Sequence, residues 1–97
     1  MAKVELSRAA RIDLLSIYDY SIENFGIDVA GKYLADVQHA LAKLADFPEL
    51  GPPASDLKRG TRCLSCRQHR IFYRRERGGV LIARILHAAM DPRKWLA

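Results

Sequence analysis

Cysteine is scarce in this 97-residue chain, which has only Cys63 and Cys66. That excludes the disulfide framework that staples many small secreted domains, and no second Cys pair is present to complete a four-ligand zinc site. Long apolar runs are also missing, the longest being a few residues, so no segment is a membrane span. The N-terminal stretch Met-Ala-Lys-Val-Glu-Leu-Ser alternates polar and apolar residues and carries no apolar core of a secretory signal, which leads us to expect a cytoplasmic protein. Proline and glycine are few, at four and six, and cluster only at Gly51-Pro52-Pro53, so neither a linker nor a low-complexity tract divides the chain. What remains is an ordinary hydrophobic fraction of 49%. A globule of this size hides roughly two-thirds of its unfolded surface, enough for one domain spanning residues 1–97 but not for two.

Positive charge is outnumbered in one half and concentrated in the other. Residues 1–56 carry a net charge of −4, and residues 57–97 carry +9, which together give the overall +5. Nine of the eleven basic residues in the second half are arginine, whose planar donor fork suits carboxylate and phosphate groups. Internal pairing with the acidic half leaves a surplus, so the basic half points to an anionic partner.

The hydrophobic period changes at the same place as the charge. Lys3–Leu6 alternates as a short strand. Ser7 is a helix cap, and Ile12, Leu15, Tyr18, Ile22 and Phe25 recur at steps of three and four until Gly26, with Leu14 and Ile17 widening the apolar stripe. Asp28 opens a second helix carrying Ala30, Tyr33, Leu34, Val37, Leu41 and Leu44, stopped by Phe47-Pro48. So short a connection predicts an antiparallel helix hairpin. Beyond Pro53 the period becomes two: strands are expected at Arg62–Cys66, His69–Arg75 and Val80–His87, the last two joined by a hairpin at Gly78-Gly79. With an even-numbered loop, one sheet face carries His69, Ile71, Tyr73, Arg75, Val80, Ile82, Arg84 and Leu86. The other carries Arg70, Phe72, Arg74, Leu81, Ala83, Ile85 and His87, and forms a concave docking surface if the helices cover only one side. Asp91-Pro92 begins a final helical turn. The expected class is α+β: an N-terminal strand, an antiparallel helix hairpin, a three-stranded antiparallel sheet and a short C-terminal turn.

Catalytic readings of individual residues are weak. Cys63 and Cys66 lie on a strand, where positions three apart point to opposite faces, so buried structural thiols explain them better than a redox pair. Asp13, Asp19 and Glu23 sit on a helix with many solvent positions. Ser65 and His69 lack a nucleophile elbow, and Gly31-Lys32 lacks a glycine-rich loop before it. His87 is either a general base or a hydrogen-bonded structural residue, and Trp95 either stacks on a target or packs the last turn. Arg70 and Arg74, sharing one face, are the functional arginines of this reading. Arg84 is the structural one, requiring an acidic partner such as Asp13 or Asp19. No metal or cofactor is expected.

Five fragments in order carry a resemblance across most of the chain: Ala10-x-x-Asp13-Leu14-x-x-Ile17-x-x-Tyr20, Phe47-Pro48-Glu49-Leu50-Gly51, Gly60-Thr61-Arg62, His69-Arg70-Ile71-Phe72-Tyr73-Arg74 and Arg84-Ile85-Leu86-His87-x-x-Met90-Asp91. Together they resemble the RelE/ParE superfamily of bacterial toxins, its ParE branch in particular. The resemblance implies a type II toxin-antitoxin module, in which a ParD-like antitoxin wraps the toxin in a hetero-oligomeric complex and fills its hydrophobic grooves. Leu14, Ile17, Leu34, Val37, Leu41 and Phe72 are the candidate antitoxin contacts. It further implies inhibition of DNA gyrase, with Arg70, Arg74, His87, Arg93, Lys94 and Trp95 as candidate target contacts. The alternative is a RelE-like ribosome-dependent mRNA endoribonuclease using Arg70, Arg74 and His87. RelE-like enzymes carry basic residues after the last strand and a tyrosine in the C-terminal segment. This chain has Ala88-Ala89-Met90 and Trp95 there, which favours the non-enzymatic inhibitor.

Overall fold

A computed structural model describes residues 3–96. Strand β1 (Lys3–Leu6) is followed by helices α1 (Arg8–Phe25) and α2 (Ile27–Asp46), strands β2 (Arg62–Cys66), β3 (His69–Glu76) and β4 (Gly79–His87), and a 3-10 turn at Pro92–Lys94. Ser7 caps α1 by accepting from the Ala10 N–H at 3.0 Å, and Gly26 closes it with φ +86°, a conformation that glycine adopts without a Cβ penalty. That single residue separates the two helices, which therefore pack as the expected hairpin.

The sheet runs β1-β4-β3-β2. The three C-terminal strands are antiparallel, but β1 joins the sheet parallel to β4, so the sheet is mixed. Parallel pairing is the geometry a strand can reach after the chain has crossed through the helix hairpin and returned. Its closeness fixes Gly79: any Cβ there would collide with the Lys3 backbone.

One register shift redraws the predicted faces. Tyr73 pairs with Ile82, whereas Phe72 pairs with Arg84, leaving Ala83 as the extra residue of a bulge. Facing residues share a side of the sheet, so Ile85 and His87 join Ile71 and His69 on one side, while Arg84 and Leu86 join Phe72 and Arg70 on the other. The even-loop rule holds from the hairpin as far as Ile82 and inverts beyond Ala83.

The main core lies between the helices and the sheet and contains Ala10, Val37, Leu41, Leu44, Ile71, Tyr73, Val80, Ile82 and Ile85, with Leu14 and Ile17 packed against it. Val37 and Leu41, expected as docking residues, are thus part of the chain's own interior at 0% and 7% exposure. The opposite face is not an open docking surface either. Phe72 and Leu86 on it are each 1% exposed, because residues 53–57 and the C-terminal turn come over the sheet there. Among the described residues no helix is long and apolar enough to cross a membrane.

Tyr73 joins this core to the loop after α2. Its hydroxyl donates to the Pro48 carbonyl at 2.8 Å and accepts from the Gly51 N–H at 2.8 Å. Gly51 itself has no room for a side chain, since a Cβ would sit 2.7 Å from the Cys63 carbonyl oxygen. Tyr73→Phe leaves two backbone groups unpaired, and we expect a loss of about 1–3 kcal/mol in urea unfolding with the fold retained.

Candidate functional site

The predicted target contacts separate into three places. Arg70 sits on the face away from the helices, its guanidinium donating to the Met90 carbonyl at 3.0 Å and the Ala88 carbonyl at 3.4 Å, 5.4 Å from the centre of the Phe72 ring. Its Nε is buried with no hydrogen-bond acceptor and has the Phe72 ring as its neighbour. Arg70 and Arg93 line one shallow groove of about 430 Å³ with Cys63, Phe72 and the 53–57 loop. Arg93 is exposed and pairs with Asp91, whose carboxyl it holds below the usual carboxylate range. Arg74 stands towards the β-hairpin end, paired with Glu76 at 3.2 Å on the surface.

His87 belongs to a different site. It faces His69 across the β3–β4 ladder with ring centres 5.4 Å apart, and its Nδ1 accepts from the Ala89 N–H at 3.0 Å. His69 in turn meets the Tyr33 hydroxyl, which accepts from the Gln68 N–H at 3.2 Å. When His69 is neutral with Nδ1 unprotonated, the Tyr33 hydroxyl donates to it while accepting from Gln68. Burial pushes His69 below the usual imidazole range, His87 adds to this, and Asp13 opposes it. Arg67 lies over the Tyr33 ring at 4.9 Å and pairs with Asp36 at 3.3 Å.

This cluster closes one end of an apolar groove of about 670 Å³ lined by Ile17, Tyr20, Phe25, Val29 and Tyr33. Tyr20, Phe25 and Val29 are 62%, 61% and 47% exposed, a concentration of aromatic and aliphatic surface that single-chain packing leaves unused. Of the predicted antitoxin contacts only Ile17 lines the groove; Leu14 packs against the core and Leu34 is half-buried. The helical period marks Phe25 as apolar but not Tyr20, and it cannot tell the helix face that meets the sheet from the end that overhangs it.

Cys63 pairs with Phe72 and Cys66 with His69, hence on opposite faces, and burial pushes both thiols up. They are protonated structural thiols. Among the described residues no group of three or more His, Cys, Asp or Glu side chains comes together as a metal site.

The structural arginine found one of its two expected partners. Arg84 Nε and Nη2 each donate to the Asp13 carboxylate at 2.8 Å, and the same carboxylate accepts from the Ile85 N–H at 2.9 Å. Arg84 also lies over the Trp95 ring at 5.7 Å and points Nη1 at the Trp95 carbonyl at 3.4 Å. The role of Trp95 as a packing residue against the body was legible; its partner was not.

With this geometry in view the comparisons are decisive. The family model for the ParE toxin of the type II toxin-antitoxin system, parDE, matches residues 4–92. This chain belongs to the ParE toxin family. It is 37% identical over 87 residues to toxin ParE1 of Mycobacterium tuberculosis, covering 89% of each chain. It is 34% identical over 96 residues to toxin ParE1 of Caulobacter vibrioides, covering 99% of each. A solved structure, the chromosomal ParDE system from P. aeruginosa, superposes with a TM-score of 0.78 over 90% of this chain and 96% of that one, at 24% identity, and so shares the fold.

The histidine cluster gives this ParE-family chain a pH signature. A histidine whose folded pKa is depressed adds stability that is complete above its unfolded value of about 6.5 and declines as pH falls from there towards the folded value. Chemical unfolding between pH 7.5 and 5 is expected to show this decline, and His69→Gln to flatten it.

Proposed function

We propose that this ParE-family toxin arrests growth by inhibiting DNA gyrase without catalysing a reaction, and that a ParD-like antitoxin neutralises it in a hetero-oligomeric complex. The reading is carried by Arg70. RelE-like endoribonucleases, which the sequence also resembles, require basic groups on the sheet and after the last strand to stabilise a pentavalent phosphate. Here the sheet arginine holds the carbonyls of Ala88 and Met90, the very segment that lacks basic residues. Proton transfer and charge stabilisation each contribute on the order of a hundredfold or more, so a site without them retains little cleavage. The C-terminal turn offers Arg93, Lys94 and Trp95 as exposed basic and aromatic groups for a target.

The antitoxin seat is proposed in the groove of Ile17, Tyr20, Phe25, Val29 and Tyr33. Its apolar floor suits an amphipathic segment, and Arg67 at its end favours an acidic one. This replaces Val37, Leu41 and Phe72 as contacts by residues that are exposed.

Two purified assays run in parallel test the target: gyrase supercoiling with trapping of the cleaved-DNA complex, and cleavage of mRNA on ribosomes. We expect gyrase inhibition and intact mRNA; specific mRNA cuts with undisturbed gyrase would overturn the reading. For the antitoxin, Phe25→Glu is expected to weaken capture by at least about 2 kcal/mol, roughly thirtyfold in Kd, while leaving growth arrest in place. Undiminished capture would move the seat elsewhere.

A further inference from the structure

We propose that Asp13 and Arg84 are positioning residues for the C-terminal turn, holding Arg93, Lys94 and Trp95 as a fixed prong for the target. The inference deepens the proposed function and rests on it for the identity of the target, but not for the geometry. The family match ends at residue 92, so what holds the prong is read from this chain's own contacts.

Each nitrogen of the Arg84 fork has an assignment. Nε and Nη2 take the two oxygens of Asp13, a bidentate pair whose side chains are only 20% and 12% exposed, and Nη1 reaches the Trp95 carbonyl. The guanidinium carbon lies over the indole, 5.7 Å from its centre. A guanidinium can make all of these contacts together because its donors and its face are in fixed relation, whereas an ammonium of the same charge has neither fork nor plane. The turn has its own short-range bonds, from the Arg93 N–H to the Asp91 carboxylate at 3.0 Å and from the Trp95 and Leu96 N–H groups to the Pro92 carbonyl, but none of these fixes its direction relative to the body. Arg70 anchors the entry at Ala88 and Met90, and Arg84 anchors the exit at Trp95, so the segment is held at both ends. Trp95 is still 49% exposed, which leaves half of its surface for a partner.

Trp95 is the sole tryptophan, so its fluorescence reports on the prong alone. The intact protein is compared in acrylamide quenching with a free peptide of residues 88–97. We expect clear protection in the protein, a shift to longer emission wavelength and peptide-like quenching in Arg84→Lys, and loss of growth arrest by that variant with antitoxin capture retained. Peptide-like quenching in the unmodified protein would overturn the proposal without any variant having to fold. So would an Arg84→Lys protein that arrests growth as fully as the parent. Asp13→Asn, which keeps Arg84 and loosens only its grip, is expected to fall between the two. Growth arrest is read independently of the target: if the parent arrests growth but spares gyrase, the gyrase reading fails while the positioning role stands.

Discussion

The carboxylate of Asp13 is the contact on which the C-terminal half of this molecule depends. Strand β1 pairs with β4 only from Gly79 to Ile82, so beyond that point the backbone of β4 has a strand neighbour on one side only. An unpaired, half-buried strand edge carries a penalty for each donor and acceptor left without a partner. Helix α1 supplies the missing groups. The Ser7 N–H donates to the Ile82 carbonyl at 2.9 Å, the Ser7 hydroxyl to the Ala83 carbonyl at 2.7 Å, and Asp13 accepts from the Ile85 N–H. The first two turns of α1 thus stand in for the strand that β1 is too short to provide.

That substitution explains why the bulge is tolerable and what it accomplishes. An unpaired Ala83 would be costly if its carbonyl were orphaned, but Ser7 satisfies it while also capping α1. The bulge turns Arg84 to the far side of the sheet, where it can reach round to Asp13 and over Trp95 at once. Without the extra residue, Arg84 would lie on the helix-facing side and Ile85 would leave the core. One inserted position therefore couples the interior packing of Ile85 to the presentation of the C-terminal turn.

Much of this was legible in the sequence where local chemistry decides it. Ser7, Gly26, Asp28 and Phe47-Pro48 mark helix ends through their own caps and breaks, and the period-two runs give the three C-terminal strands to within a residue or two. The Arg84–Asp13 partnership could be anticipated because a cation on a partly apolar strand needs a counterion, and Asp13 and Asp19 lie on the helix expected to pack against the sheet. The bulge could not be anticipated, since alternation in Ile82-Ala83-Arg84-Ile85 reads equally well in either register. Nor could the burial of Phe72 and Leu86, which depends on where the 53–57 loop and the last turn return over the sheet. Val37 and Leu41 were assigned to a partner for a related reason: a helical stripe has one apolar face, and only the tertiary arrangement says how much of it the chain itself covers.

The charge division acquires a structural meaning from these contacts. Of the arginines in the basic half, Arg62, Arg70 and Arg84 donate to backbone carbonyls at 2.6, 3.0 and 3.4 Å, and Arg84 adds its bidentate pair with Asp13. They act as long, multivalent hydrogen-bond donors that fasten loops and the C-terminal turn to a small sheet, a task lysine performs poorly because it lacks the planar fork. The exposed positive charge of this half lies instead on Lys58, Arg59, Arg67, Arg75, Arg77, Arg93 and Lys94. Surface pairs such as Arg93 with Asp91 contribute little to stability, being exposed and screened by salt. Arginine in this chain is therefore in part a means of holding a short chain in shape: Arg62, Arg70 and Arg84 fasten backbone carbonyls, while Arg59, Arg67, Arg75, Arg77 and Arg93 stay exposed.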